Sequence, residues 1–471
     1  MSALAWQMPA WALTLMPVRH ARQCLNERAS TAATATTAAT AHTPARQLLV
    51  DVSVIHQSDA RTGIQRVVRA LLLQLLMAPP AGYCVRPIFA TRQHGYRYAA
   101  PDFLDPVPQA PGAALSPMRA DAMESVRVGE RVCVQAGCGD LFLGLDLAAH
   151  LLPRHQAQVL CWKRRGVKMH VLVYDLLPLL HPEWFNPKTV RNFKRWIKWL
   201  AVYADSAICI SETVKMELHA WLNTHFGMLP TTLPASTIVL GADIEASAPS
   251  GGLPAQASSV LARLRSTSAV LMVGTLEPRK GYDQALAAFE QLWQQWENAP
   301  LLVIVGRPGW KTQALQEKLR CHPQAGQRLF WLEDVSDEYL AQLYDACSSV
   351  LVASRGEGFG LPLVEAVQHG KPVLAREIAV FQELKLAGIT YFHGESANDL
   401  ATAIGNWLKP AWGKTVLPPQ RHASSFFPTW QLSAAQLLHA LGLQCQVPEP
   451  HHSAAVLKAG ISNSCPMESA A

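Results

Sequence analysis

Glu357-Gly358-Phe359-Gly360-Leu361-Pro362-Leu363-Val364-Glu365 follows an apolar run at residues 349–354 and precedes His369-Gly370-Lys371-Pro372. The apolar run has the length and composition of a buried strand. Pro362 suits the first helical position, where its missing N–H has no intrahelical partner to lose. Gly370 and Pro372 mark the end of that helix. The stretch therefore reads as strand, glycine-rich turn, helix. Glu357 stands in the loop beside the free N–H groups of a helix start, and Glu365 lies about a turn further in. Such N–H groups favour anions, and carboxylates accept hydrogen bonds from hydroxyls. The combination suits a polyol joined to a phosphate, as in a nucleotide sugar.

A second stretch supplies the complementary charge. After the apolar run 270–274 comes Thr275-Leu276-Glu277-Pro278-Arg279-Lys280-Gly281, and then Leu286, Phe289, Leu292, Trp293 and Trp296 at helical spacing. Two adjacent cations at a helix start oppose the helix dipole, and a bound diphosphate would resolve the conflict. Arginine offers a planar fork to phosphate oxygens and lysine a point charge. Glu277 reads as the residue that holds the turn.

Working outward, strands are expected at residues 47–52, 85–89, 132–135, 170–174, 207–210 and 237–240. Beyond a Pro/Gly/Ser/Ala-rich linker they recur at 270–274, 301–305, 328–332, 349–354 and 372–375. Helices fall between them, the first carrying Ile64, Val67, Val68, Leu71 and Leu75 on one face. Alternation of this kind predicts an α/β fold of parallel sheets covered by helices, with ligands at the carboxyl ends of the strands. The expected plan is an N-terminal extension (1–45) without order, a first Rossmann-like domain (46–245) and a linker (246–262). A second Rossmann-like domain (263–412), a returning helix region (413–445) and a disordered tail (446–471) complete it.

These motifs resemble the retaining glycosyltransferases of family 4, which have the GT-B fold. That family carries two glutamates separated by seven residues, here Glu357 and Glu365, and a Glu-Pro-Arg-Lys turn, here residues 277–280. The string 61–69 and the pair of segments 174–178 and 181–185 are similar to a mannosyltransferase-like subgroup. The resemblance runs over roughly residues 46–440. It implies two facing Rossmann-like domains with the donor in the cleft between them. Glu357 would bind the donor sugar's hydroxyls, aided by backbone N–H groups among Gly358, Phe359, Gly360 and Leu361. Glu365 would bind the ribose, and Arg279 and Lys280 the diphosphate. It places the base against the backbone of Val335, with Ser336 capping the next helix. Gly63 either admits the phosphate or is a simple turn glycine. Many family members have His-Asp where this chain has Tyr174-Asp175. Tyr174 would then present its hydroxyl or its carbonyl, and Asp175 is either a polar partner of donor or acceptor or a helix cap.

The chain contains no Asp-x-Asp pair, so no metal or other cofactor is expected and the two cations take a metal's place at the diphosphate. The resemblance implies retention of configuration without a covalent glycosyl-enzyme. It points to GDP-mannose as donor and to a lipid-linked or polysaccharide acceptor in cell-surface glycan synthesis, at the cytoplasmic side of the membrane. The alternatives are a UDP-sugar donor, a soluble acceptor, a nucleotide-sugar epimerase, and a non-catalytic scaffold of a polysaccharide assembly complex.

Composition narrows the classes. Of 471 residues 49% are hydrophobic, enough for two large cores, and the net charge is only +6. That excess is too weak for nucleic acid, and no zinc-finger or RNP-like pattern is present. Ten scattered cysteines without a CxxC spacing fit a reduced compartment. No stretch has the length and apolarity of a transmembrane helix. Residues 188–203 form an amphipathic pattern. Phe193, Trp196, Ile197 and Leu200 lie on one face and Arg191, Lys194, Arg195 and Lys198 on the other. That pattern reads as a core-packing helix with a solvated basic face, or as a peripheral contact with an anionic bilayer.

Overall fold

The computed structural model describes residues 8–33, 45–59, 62–100, 103–104, 132–243, 249–408 and 428–444. The first half builds one sheet from β1 (Arg46–Asp51), β2 (Tyr83–Phe89), β3 (Arg97–Tyr98), β4 (Leu141–Gly144), β5 (Lys168–Val173), β6 (Ser206–Cys209) and β7 (Ala235–Thr237). Their order is β3-β2-β1-β4-β5-β6-β7, and only the β2–β3 pair is antiparallel. The second half builds another from β8 (Ala269–Val273), β9 (Leu301–Val305), β10 (Leu329–Leu332), β11 (Ser349–Val352), β12 (Val373–Arg376) and β13 (Ile389–Phe392). Its order is β10-β9-β8-β11-β12-β13, parallel throughout. Strands such as Leu-Leu-Val-Ile-Val in β9 are buried at every position, as a central parallel strand covered on both faces must be. In each sheet the order reverses between the first strand and its neighbour, at β1/β4 and β8/β11. The loops leaving the carboxyl ends there diverge and open a crevice.

The helices that frame the site are α1 (Ala10–Leu15), α2 (Val18–Ala33), α3 (Gly63–Met77), α4 (Pro187–Tyr203), α5 (Glu212–Phe226), α6 (Ala257–Ser266), α7 (Tyr282–Gln295), α8 (Asp337–Ala346), α9 (Leu361–Gln368), α10 (Ala379–Glu383) and α11 (Trp430–Ala440). Thr62 starts α3 with a capping box. Its hydroxyl accepts from the Gln65 N–H, and its own N–H donates to the Gln65 side chain. Helix α11 crosses back to the first domain and packs on α3, with Trp430 1% exposed and its N–H donated to Asp243 at 2.8 Å.

The structure departs from the sequence expectations in several places. The extension 1–45 is not without order over its described part. Helices α1 and α2 dock on the first domain through Leu13, Ala21 and Leu25, all fully buried. Arg22 secures them by donating to the carbonyls of Ala201 (3.1 Å), Ala204 (2.6 Å) and Thr232 (3.0 Å). The expected strand 132–135 is only an isolated bridge from Cys133 to Arg97, and the true strand is β4. Four residues, Leu-Phe-Leu-Gly, are too few to show a period. Strand β13 was equally unmarked. The linker ends earlier than residue 262, because α6 starts at Ala257 and packs against α8. The tail 446–471, expected to be disordered, lies outside the described residues.

Candidate functional site

The turn after β8 sets the two cations. Gly281 has φ 71°, and a Cβ there would stand 2.4 Å from the Ala353 carbonyl oxygen at the end of β11. Only glycine permits that approach, and it brings the β8 turn against the β11 loop at the topological switch point. Arg279 then reaches one Glu357 oxygen at 2.5 Å and Lys280 the other at 2.5 Å. Arg279 also bonds Glu277 (2.8 Å) and the Gly356 carbonyl (2.9 Å), so Glu277 does orient the turn. All three site side chains are largely buried, at 16%, 11% and 9% exposure for Arg279, Lys280 and Glu357. Burial alone would raise the Glu357 carboxyl, but Arg279 and Lys280 outweigh it and pull the group down to about 2. Burial would lower the Arg279 guanidinium, but Glu357, then Glu277 and Asp175, hold it above its ordinary value.

Helix α9 begins at Gly360 in the left-handed region (φ 109°), where a Cβ would lie 2.6 Å from the Phe381 ring. No side chain caps this helix, and among the described residues no acceptor takes the backbone N–H groups of Phe359, Gly360 and Leu361. They are available to a ligand. Glu365 is 3% exposed. It accepts from Tyr344 Oη at 2.9 Å and from the Arg66 guanidinium of α3, which also bonds Asp337 at 2.6 Å. Arg66 thus spans the crevice from the first domain to the second.

The first domain supplies the opposite wall. Gly63 opens α3, and a Cβ there would meet only Leu361 at 3.8 Å, so packing does not itself demand glycine. Tyr174 selects between its two alternatives. Its hydroxyl donates to the Leu145 carbonyl at 2.8 Å inside the domain, leaving only its backbone carbonyl toward the crevice. That carbonyl meets Gly358, where a Cβ would fall 1.9 Å from it. Asp175 accepts from the Leu177 N–H at 3.1 Å, a local turn bond two residues on, and it is not the N-cap of the short helix 177–180, a place held by Leu176. Burial raises its carboxyl to about 6, with Arg279 opposing the rise. Val335 lies across from these groups on the loop after β10, and Ser336 caps α8 by accepting from the Tyr339 N–H at 3.0 Å. The crevice encloses about 570 Å³, within the range of small-molecule sites, and all the predicted site residues line it.

The domains are closed on each other. Phe359 and Val364, from the second domain, sit in one apolar cluster with Val68 and Trp430. Ser211 Oγ donates to the Gly358 carbonyl at 2.8 Å. Glu383 of α10 accepts from the N–H groups of Glu212 (2.6 Å) and Thr213 (2.9 Å) at the start of α5. The Trp310 indole donates to the Trp184 carbonyl at 2.9 Å. Sequence reasoning missed Arg66, Tyr344, Asp337 and Glu383. Arg66 lies one helical turn after Gly63, which places it on the same face, and that was the one available signal.

Comparison with known proteins agrees with this architecture. The family model for glycosyl transferases group 1 matches residues 262–413. The serotype-specific mannosyltransferase WbdA of Escherichia coli is 40% identical over 398 residues, covering 84% of this chain and 46% of that protein. The chain thus spans about half the length of the curated relatives it matches. O-antigen chain mannosyltransferase B of E. coli is 32% identical over 117 residues, 24% of this chain and 30% of that one. Among solved structures, Anabaena HepE in complex with UDP-glucose superposes with a TM-score of 0.55 at 18% identity, covering 84% of this chain and 99% of that one. That last likeness concerns the fold alone. The matched second domain, the cations after β8 facing Glu357 after β11 across the parallel-sheet switch point, and the two-domain closure lead to one assignment: the chain belongs to the glycosyl transferases group 1, the family-4 retaining glycosyltransferases of GT-B fold.

Proposed function

We propose that this chain transfers mannose from GDP-mannose, with retention, onto a growing cell-surface polysaccharide of the O-antigen kind. The observation that carries the reading is Glu357 clamped between Arg279 and Lys280, beside unengaged N–H groups at the start of α9. Beyond the bonds from Arg279, Lys280 and Ser354, the Glu357 carboxylate retains one acceptor site for a sugar hydroxyl. Arg279 and Lys280 face the diphosphate and meet its growing charge as the glycosidic bond breaks, a contribution of ~10²–10³ in rate per donor. The acceptor oxygen bonds to C1 on the face the diphosphate leaves, and its proton passes to the departing phosphate oxygen, so mannoside and GDP are the products. Glu365 takes the ribose hydroxyls, for which Arg66 must yield one carboxylate oxygen. The base rests along Val335. Asp175 orients the donor or the acceptor hydroxyl, and Gly63 leaves room for the phosphate.

The mannosyl and O-antigen parts rest on the relatives' names, and the GDP part on the subgroup resemblance of residues 61–69 and 174–185. The acceptor is lipid-linked or oligosaccharide. The protein works at the cytoplasmic face as a peripheral protein, a reading supported by the basic face of α4. No described helix is long and apolar enough to cross a membrane.

Thermal melting with nucleotide diphosphates in EDTA tests the reading. At 100 times its dissociation constant GDP should stabilise the protein by about 2.7 kcal/mol. Lys280→Ala should lose most of that, and transfer from GDP-mannose to an oligomannoside should survive EDTA. Preference for UDP overturns the donor, and indifference to every nucleotide overturns the transferase reading.

A further inference from the structure

A second cavity, about 650 Å³, lies on the first domain and shares no lining residue with the donor crevice. Among the described residues, Arg92, Arg154, Lys188, Arg191, Arg195 and Lys198 line it, no carboxylate does, and none of the six forms an ion pair. Cations gathered without counter-ions repel one another, so the arrangement costs free energy unless an anion enters. The field is already felt by His150 in the wall. Burial lowers its imidazole pKa, and Arg92 and Lys188 lower it further. Trp199 and Tyr203 also line the cavity at 3% and 1% exposure, and neither the indole N–H nor the phenol O–H has a hydrogen-bond partner. Helix α1 borders the cavity through Thr14, whose carbonyl accepts from Lys198 at 2.7 Å. On the same side of that helix Trp11 and Leu15, four residues apart, are 64% and 78% exposed. Trp is the side chain favoured at membrane interfaces, and a basic surface beside it suits anionic lipid.

We infer that this cavity is a binding site for the phosphate headgroup of an anionic phospholipid, with Trp11 and Leu15 entering the bilayer interface beside it. The assignment deepens the peripheral-membrane reading and is independent of the donor chemistry. A soluble polyphosphate would satisfy the six cations equally well, but it leaves the exposed Trp11 and Leu15 without a role. Helix α1 therefore does more than pad the domain. It contributes the cavity rim and the apolar anchor together.

Sedimentation of the full chain with vesicles of phosphatidylcholine, with and without 30% phosphatidylglycerol, tests this at low salt. Binding is expected only to the anionic vesicles. The double variant Arg191→Gln/Arg195→Gln should bind about 30-fold more weakly, from about 1 kcal/mol per surface cation. Arg263→Gln/Arg265→Gln on α6 removes the same charge from an exposed helix of the other domain and should bind as wild type. Trp11→Ser should weaken binding on the order of tenfold. Equal losses from the two double variants mean a diffuse charge effect and overturn the site while leaving peripheral binding intact. Displacement by millimolar inorganic diphosphate at matched ionic strength, with Trp11→Ser binding as wild type, makes the cavity a soluble-phosphate site and overturns the lipid assignment. Absence of binding to anionic vesicles overturns the site and the peripheral reading together, whereas transfer from GDP-mannose to a soluble oligomannoside is unaffected and keeps those failures apart from failure of the donor site.

Discussion

At the scale of single residues the site is governed by charge compensation in a dry crevice. Glu357 is ionised because two cations outweigh its burial, so its pKa of about 2 lies below the ordinary 4.5. A depressed carboxylate contributes stability above its unfolded value, and that contribution is lost as pH falls from about 4.5 toward 2. Glu357→Gln should therefore cost about 3 kcal/mol at neutral pH and none near pH 2, measured by urea unfolding across that range. GDP should narrow the neutral-pH gap, because a diphosphate supplies the missing negative charge to Arg279 and Lys280. Asp175 has the opposite sign. Burial holds its carboxyl at about 6, so the wild type loses stability as pH rises from 3.8 through 6. Asp175→Asn escapes that loss, and its stability relative to wild type should grow between pH 4 and 6 and stay level above. A flat difference across that interval removes the burial argument. Arg66 shows the limit of reading residues singly. It stands inside the string 61–69, yet only the facing domain reveals Glu365 and Asp337 as its partners.

At the scale of elements, the strand–turn–helix units placed the cations and carboxylates at strand ends as the sequence pattern required. What the pattern does not contain is how one element ends against another. Helix α5 has its own cap, Ser211 Oγ accepting from the Val214 N–H at 3.2 Å, yet its first N–H groups are also taken by Glu383 from α10 of the other domain. A carboxylate at a helix N-terminus is worth a few tenths to about 2 kcal/mol. Glu383→Ala should cost about 1–2 kcal/mol of stability and loosen the domain contact, read as faster amide exchange at the start of α5. Unchanged exchange there means the contact carries no weight. Helices α1 and α2 escaped notice for a related reason. The six residues of α1, Ala-Trp-Ala-Leu-Thr-Leu, are apolar nearly all round and show no period, and Arg22 of α2 is anchored to carbonyls at the end of α4 and in the segment before β7, 179 or more residues away in sequence.

At the scale of the whole molecule, closure of two domains makes the crevice. One close approach is Gly358 against the Tyr174 carbonyl, where a side chain would stand 1.9 Å from a backbone oxygen. Gly358→Ala should leave both domains folded and GDP bound but hold the crevice open. Small-angle scattering should show a larger radius of gyration and kcat should fall by orders of magnitude; an unchanged radius with normal turnover shows that closure does not depend on this contact. Much of this molecule was determined by local sequence. The α/β alternation, two Rossmann-like sheets, the Glu357/Glu365 pair and the Arg279-Lys280 turn all follow from periodicity, helix-start chemistry and short-range spacing, which act within about ten residues. The missed pieces depend on pairing across long sequence distances. Four-residue β4 is a strand because Leu48 and Lys168 flank Leu141 in the sheet, the hydroxyl of Tyr174 is spent on Leu145, and Arg66 meets Glu365 across 299 positions. Short strands carry too little pattern to announce themselves, and a side chain's partner across a domain boundary is chosen by the packing of two independently folded sheets. Tertiary structure alone decided those contacts.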